Sequence, residues 1–420
     1  MSIFRSYQKK TSSLNHPIIR PTLNFNFVNN NKLSPLITFT RNSQTTYFDK
    51  NGILQTAGIN QPVFEWDPVT KRCLGLRIWE GVTNFLLYSE DFTTTWIASG
   101  ATIVANSIAA PSGTVTADKI VETATTGEHR ATQVTSMSAT TSAVTFSVFV
   151  KAAERTSVRL AFSILTNWSG GGGAAAIFDL SNITARVDNS TPIAYGIIPC
   201  SNGWFRCYIT GIPTTSIVPT CNAFIYNNAS SYNGTAGSGL HLFGAQLNFG
   251  PLAPYIPTTT SSVSTQADEA FISNTDLTPY FNINEGTLYV EDKSGVSNSQ
   301  SNYNGTGFTN PGRILPSYRV SNAVRPAYTV NNINYLLFNY SGVSPEIDLR
   351  SCMAYKYNNI FSNVNNFIDS NQYAFDAPIP ASIPRLTIGS GGSGGSNNYV
   401  KRVTYYNRRL TNSQCRSLTR

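Results

Sequence analysis

Alternation of apolar and polar side chains at a period of two most limits what this chain can become. In AVTFSVFVKA, residues 143–152, Val144, Phe146, Val148 and Val150 alternate with Thr145, Ser147, Phe149 and Lys151. In SVRLAFSIL, Val158, Leu160, Phe162 and Ile164 form one face, and GWFRCYIT and HLFGAQLNF behave similarly. Successive side chains of a strand point to opposite faces, so the pattern sets one face on a core and the other toward water. After EGTLYVE, residues 285–291, a second series follows in MAYKYNNIFSNVNNF and RLTIGS, and it closes with YVKRVTYY. Repeated short strands with few helical windows predict an all-β chain of two antiparallel β-sandwich (jelly-roll) domains.

Turn formers support this. The chain holds 30 Gly, 21 Pro and 12% aromatic residues, a mixture suited to short strands joined by turns. Asp49-Lys50-Asn51-Gly52 is a hairpin signal, because Asn-Gly accepts a positive φ. At 420 residues, more than one domain is expected. The divisions read from sequence are an N-terminal docking arm over 1–35, a short β-rich connector over 36–80, a jelly roll over 81–258 and a second sandwich over 259–420. LNFNF, residues 23–27, alternates and can add one strand to a neighbour. The polar run from Thr258 to Ala267 reads as the linker between sandwiches.

Charge is sparse, at 12% of residues, and unevenly placed. No acidic residue precedes Asp49, and none follows Asp376, so both ends are basic around a slightly acidic middle. Basic ends on such a body predict charge complementarity to a neighbouring subunit rather than a nucleic-acid groove. The six cysteines are scattered without a C-x-x-C pair, which argues against zinc and redox chemistry and for buried free thiols. MSIFRSYQKK lacks the apolar core of a signal peptide. No 18-residue apolar run exists, so no membrane insertion is expected.

Little points to catalysis. Glycan hydrolysis needs two carboxylates across a cleft. Asp118 with Glu122 and Glu128, or Asp268 with Glu269, are the pairs to weigh; the first group reads as a helical or loop stretch, and acidic turn residues explain both. Of the three histidines, His16 lies in the arm, His241 starts a strand, and His129, between Glu128 and Arg130, reads as exposed. The glycine tracts 170–173 and 389–396 lack a phosphate-loop ending and read as loop tips. No cofactor is expected. Structural calcium fits sandwiches of this kind, although no DxDxDG loop names its ligands. Aromatic rings in polar loops are the candidate glycan contacts: Trp168 beside the glycines, Tyr226 and Tyr232 in YNNASSYNG, and Tyr303 in SNYNG. Trp79, Trp96 and Trp204 read as core.

Four ordered motifs carry a resemblance. R-x-S-x-x-T-Y-F-D occupies residues 41–49, G-x-L-Q-T-A residues 52–57, D-P-V-T residues 67–70, and E-x-x-T-N-F-L-x-Y-S-E-D-F residues 80–92. With ADKIVE, FSVFVKA, GWFRC and LHLFGAQLNFGPLAPYIPTT after them, they resemble bacteriophage virion proteins of the fibre and spike type. The resemblance implies a carbohydrate-binding-like jelly roll followed by a laminin-G/concanavalin-like sandwich. In the latter a final strand leads into a short helical tail, here 411–418, with Thr411 as N-cap. It further implies a virion protein made in the host cytoplasm, joined to other virion proteins through its N-terminal arm, assembled as a homotrimer and adhering to host surface glycan. The alternatives are a capsid or tail decoration protein that binds only other virion proteins, and a polysaccharide depolymerase.

Overall fold

The computed structural model describes residues 19–163, 167–169, 174–188, 191–294, 306–309, 313–316, 319–320, 323–324, 326–330, 333–337, 340–341, 347–365, 372–373, 385–389 and 397–420. Within these the chain is nearly all β, in antiparallel sheets.

The middle of the chain forms one sandwich from two six-stranded sheets. The first runs in the order Ala194–Pro199, Trp204–Gly211, Val144–Ala152, Gly239–Phe249, Val115–Glu122, Ala101–Ala109. The second runs Thr184–Val187, Ala175–Asp179, Ser157–Phe162, Thr220–Ile225, Arg130–Val134, Ile97–Ser99. Val144, Phe146, Val148 and Val150 meet Val158, Leu160 and Phe162 in the shared core, as the alternation predicts. The opposite face of the 144–152 strand is not open to water, however. Thr145, Ser147 and Phe149 are buried. Phe149 packs in a second cluster with Leu54, Trp204, Phe243 and Tyr255, because the 45–57 hairpin and the segment around Tyr255 lie over this sheet.

The second sandwich draws on both ends of the chain. One sheet has the order Gln372–Tyr373, Asn359–Val364, Asp348–Lys356, Glu285–Ser294, Asn398–Tyr406, Cys73–Ile78, Phe64–Trp66. The other has the order Thr38–Thr40, Glu269–Ile272, Arg385–Ile388, Gly307–Thr309, Arg313–Leu315, Ala327–Val330, Ile333–Leu337. Leu23–Asn26 pairs antiparallel with the 398–406 strand, Leu23 opposite Tyr405. The alternation in LNFNF therefore does add a strand, but to this chain's own last strand. Its apolar members Leu23, Phe25 and Phe27 are buried in the core with Leu76, Leu288, Tyr355 and Tyr405. Residues 23–78 are thus neither a free arm nor a connector in their described part. They supply strands to both sheets, and the 97–249 sandwich is inserted between them and the rest.

Two crossings of the chain make the neck of that insertion. Thr83–Asn84 pairs with Val263–Ser264, so the expected linker is a paired strand. Asp268 closes the neck: its backbone N donates to the Trp79 carbonyl at 2.7 Å, and its Oδ2 accepts the Trp79 N–H at 2.9 Å. Its Oδ1 takes a buried ion pair from Arg41 Nη1 at 3.0 Å. The remaining Arg41 donors reach the carbonyls of Ser43, Gly58 and Gln61.

Local signals hold where they were read. Gly52 takes φ +73° and its N–H donates to the Asp49 carbonyl at 2.8 Å, closing the hairpin. Thr411 caps the helix Asn412–Leu418 in a reciprocal capping box with Gln414. All six cysteines are free, five of them buried, and Trp79, Trp96 and Trp204 are core residues.

Removing one partner of a buried ion pair strands the other, at a cost of about 3–5 kcal/mol. Asp268→Ala and Arg41→Leu are each expected to lose that much in urea denaturation of the full chain. The double variant Arg41→Leu/Asp268→Ala is expected to lose clearly less than the sum. Additive losses would show that the pair does not couple the two crossings.

Candidate functional site

Two β-bulges shape one face of the second sandwich. Between the 64–66 and 73–78 strands, Glu65 faces Gly75 but Trp66 faces Cys73, so Leu74 is an extra residue. Between the 285–294 and 398–406 strands, Glu291 faces Arg402 but Asp292 faces Val400, so Lys401 is extra. A bulge bends its strand and re-aims side chains. Gly75 takes φ +120°, and a Cβ there would sit 2.4 Å from the Val400 carbonyl oxygen, so glycine is required where the bulged strands meet. The consecutive residues Lys401 and Arg402 both line a cleft of about 460 Å³, together with Trp66, Lys71, Arg72, Asn26, Asn29 and Glu291.

Each wall has a local cause. Trp66 ends its strand and is half-buried. Asp67 then folds the D-P-V-T turn by accepting the N–H groups of Val69 at 2.9 Å and Thr70 at 2.7 Å. Burial pushes the Asp67 carboxyl up, but those N–H groups outweigh it and hold the carboxyl below the usual range. The turn ends with Lys71 at φ +58° and presents Lys71 and Arg72 at the cleft. Asn26 caps the short helix Phe27–Asn30 by accepting the Asn29 N–H, which sets both amides at the rim.

The cleft carries four cations and one carboxylate. Lys71 Nζ donates to Ser201 Oγ at 2.5 Å on the other sandwich. Lys401 pairs with Asp348 at 2.6 Å. Arg402 donates twice to Asn24 Oδ1, each at 3.2 Å. Glu291 lies 3.7 Å from Arg350. Arg72 is exposed; its carbonyl accepts the Asp67 N–H at 2.9 Å, and its guanidinium has no hydrogen bond or ion pair among the described residues. A half-buried indole ringed by cations and amides can stack a flat apolar face and hold polar groups around it.

The aromatic residues read from sequence lie elsewhere. Trp168 is a correction: it is 1% exposed, stacked on Phe162 at 4.3 Å and 15°, with its Nε1 donating to the Ser163 carbonyl at 3.2 Å. Its glycine neighbours suggested a loop tip, but the indole fills the core of the first sandwich. Tyr226 is half-buried, and its hydroxyl accepts from Arg186 Nη2 at 3.0 Å. Tyr232 is half-buried, donates to Glu122 Oε2 at 2.5 Å, and leans on His129 with centroids 4.6 Å apart. The two tyrosines are thus held by separate partners. Tyr303 lies outside the described residues.

The carboxylates weighed for hydrolysis are each engaged by groups of the chain. Asp118 and Glu122 sit on the Val115–Glu122 strand, not in a helix or loop. Asp118 accepts the N–H groups of Phe92 and Asn106. Glu128 pairs with Arg130, and Glu269 with Arg385. His129 is buried, not exposed, between the carbonyls of Gly100 and Tyr232. Among the described residues no group of three or more His, Cys, Asp or Glu could hold a metal ion. Sequence reading missed Trp66, the one tryptophan it left unassigned. Its signal was an aromatic residue directly before a D-P turn that ends in Lys71 and Arg72.

No protein-family profile matches the chain, and no curated protein sequence matches it. Among solved structures, a mutant sialidase of Trypanosoma rangeli is similar at 16% identity over 36% of this chain and 26% of that one, with a TM-score of 0.28. Botulinum neurotoxin type C is similar at 12% identity over 37% of this chain and 40% of that one, TM-score 0.29. The carbohydrate-binding module of a Ruminococcus gnavus sialidase is similar at 13% identity over 34% of this chain and 88% of that one, TM-score 0.26. The chain thus spans well under half of the first two, and overlaps of this size leave function to the residues themselves.

The Tyr232 contact gives the first sandwich a pH signature. Burial pushes the Glu122 carboxyl up, but hydrogen bonds from Arg155, Tyr232 and the Thr235 N–H outweigh it, so Glu122 sits below its ordinary value. A depressed carboxyl contributes stability that is present above its unfolded pKa and lost as pH falls through the folded one. Glu122→Gln is expected to cost about 2 kcal/mol at pH 7, and the penalty is expected to shrink below about pH 4. Denaturation series at both pH values check this; a penalty that grows in acid contradicts it.

Proposed function

We propose that this chain is a bacteriophage virion structural protein, a fibre or spike subunit, that adheres without catalysis to glycan on the host surface through the cleft beside Trp66. The particle role is supported by the four ordered motifs between residues 41 and 92. In that role the N-terminal residues join other virion proteins, and copies of the chain assemble as a homotrimer.

One observation carries the adhesive reading: Trp66 is half-buried in a cleft of about 460 Å³ bordered by amides and cations. Sugar rings present an apolar face to an indole and hydroxyls to amides. A single such contact is weak, and many subunits on one particle multiply it into avidity. The non-catalytic reading is supported by the acidic residues themselves. Those weighed for hydrolysis accept backbone N–H groups or pair with arginines.

Binding of the purified full chain to host cells and to a glycan array tests the reading. Trp66→Ala is expected to weaken binding about tenfold, the loss of one ring contact of about 1.4 kcal/mol. Tyr226→Ala is expected to leave it unchanged, and incubation with host polysaccharide is expected to release no oligosaccharide. Cell binding indifferent to Trp66→Ala would remove the cleft from the adhesive role.

A further inference from the structure

We propose that the Trp66 cleft selects acidic saccharides, taking a sugar ring on the indole and its carboxylate on Arg72 with help from Lys401 and Arg402. This rests on the adhesive reading of the same cleft and specifies the ligand class.

The first argument is charge. Lys71, Arg72, Lys401 and Arg402 line the cleft against Glu291 alone, and Glu291 already faces Arg350. Lys401 also pairs with Asp348 outside the lining, so the cleft keeps an excess of positive charge that a neutral sugar leaves unused. The second argument is which cation is free. Lys71 is held by Ser201, Lys401 by Asp348 and Arg402 by Asn24. Arg72 is exposed in the same cleft, and its guanidinium is engaged by nothing among the described residues. A planar guanidinium matches a carboxylate with two parallel hydrogen bonds, a fit that ammonium groups lack. The third argument is construction. Lys401 reaches the cleft only because it is the extra residue of a bulge, and Arg72 only because the Asp67 turn ends there. Two separate backbone irregularities thus bring positive charge to the same ring.

The geometry favours a saccharide over a nucleic acid. Single-stranded nucleic acid is bound along a groove with successive aromatic platforms. Here one indole stands in a bounded cleft, whose rim includes the amides of Asn26 and Asn29, suited to hydroxyls. The placement also gives part of the basic C-terminal run a use. Lys401 and Arg402 belong to the stretch after Asp376 that contains no acidic residue.

Calorimetric titration of the full chain tests this with three probes: tetragalacturonate, maltotetraose and an oligothymidylate. Tetragalacturonate is expected to bind at least tenfold more tightly than maltotetraose, and raising the salt from about 50 to 500 mM is expected to weaken only the acidic sugar. Arg72→Gln, an exposed turn residue whose change leaves the melting temperature unaltered, is expected to cost tetragalacturonate about tenfold and maltotetraose nothing. Trp66→Ala is expected to weaken both sugars. Equal binding of the two sugars, or tetragalacturonate binding untouched by Arg72→Gln, overturns the acidic selection while the adhesive reading stands on Trp66. Tighter binding of the oligothymidylate with the same loss in Arg72→Gln overturns it in favour of a nucleic-acid contact. No binding of any probe, together with cell binding indifferent to Trp66, removes the adhesive reading as well.

Discussion

The buried pair of Arg41 with Asp268 is where the two sandwiches are tied to one chain path. Strands before Trp79 and after Asp268 build one sandwich and strands 97–249 build the other, with the 45–57 hairpin packed against the latter. The pair is not there for its net energy. Burial pushes Asp268 above the usual carboxylate range despite the nearby Arg77 and Arg41, and burial pushes Arg41 below its ordinary value despite Asp268. Both directions say that desolvation outweighs attraction. What the pair supplies is position: a guanidinium fork whose other donors take three carbonyls can be met by a carboxylate in one place only. A second ion pair repeats the device beside it. Arg77 meets Glu65 at 2.7 Å and also holds the Thr46 carbonyl, while burial raises Glu65.

The cleft inherits its rigidity from this frame. Glu65 and Arg77 lie on the two strands that flank the Leu74 bulge, so their pair ties together the strands that carry Trp66. Glu65 further accepts the Phe48 N–H at 2.6 Å, tying the 45–57 hairpin to the same strands. That hairpin covers Phe149 on the first sandwich. Lys71 reaching Ser201 adds a contact between the bodies at the edge of the cleft. A ring platform is useful only if it does not move when a ligand arrives, because ordering it then would consume the small energy of one stacking contact.

What was legible in the sequence was what depends on neighbours in the chain. The alternation around Phe146 and Leu160, the Asn51-Gly52 turn and the Thr411–Gln414 cap are decided within a few residues, and all three are present. The place of Leu23–Asn26 was not legible, since its partner lies almost at the other end of the chain. A strand pattern says that a partner exists without saying which. Trp168 and His129 were misread for a related reason. Glycines beside the first and charges beside the second suggested exposure, yet Phe162 and Tyr232, distant in sequence or across the loop, enclose them. Trp66 was missed because its role needs two bulges, and an extra residue in a strand leaves no mark on composition.

The motifs that carry the phage resemblance turn out to be framework. Arg41 ties the neck, and Thr46 donates to the Tyr255 carbonyl at 2.5 Å. Asn84 donates to the Ala245 and Ile256 carbonyls and accepts from the N–H groups of Leu86 and Leu247. Ser89 and Glu90 hold the Tyr255 hydroxyl. None of these lines the cleft. The D-P-V-T motif is the point of contact between the two roles. Asp67 fixes the turn through its own carboxylate, and the backbones of the two residues that follow, Lys71 and Arg72, close it onto Asp67 while the Arg72 guanidinium takes no part. A frame of this kind lets the displayed pair change while the turn stays, so ligand choice can drift without disturbing the neck or either core. Resemblance in the motifs therefore speaks to how such a chain is built, while the proposed ligand choice rests on the cations beside Trp66.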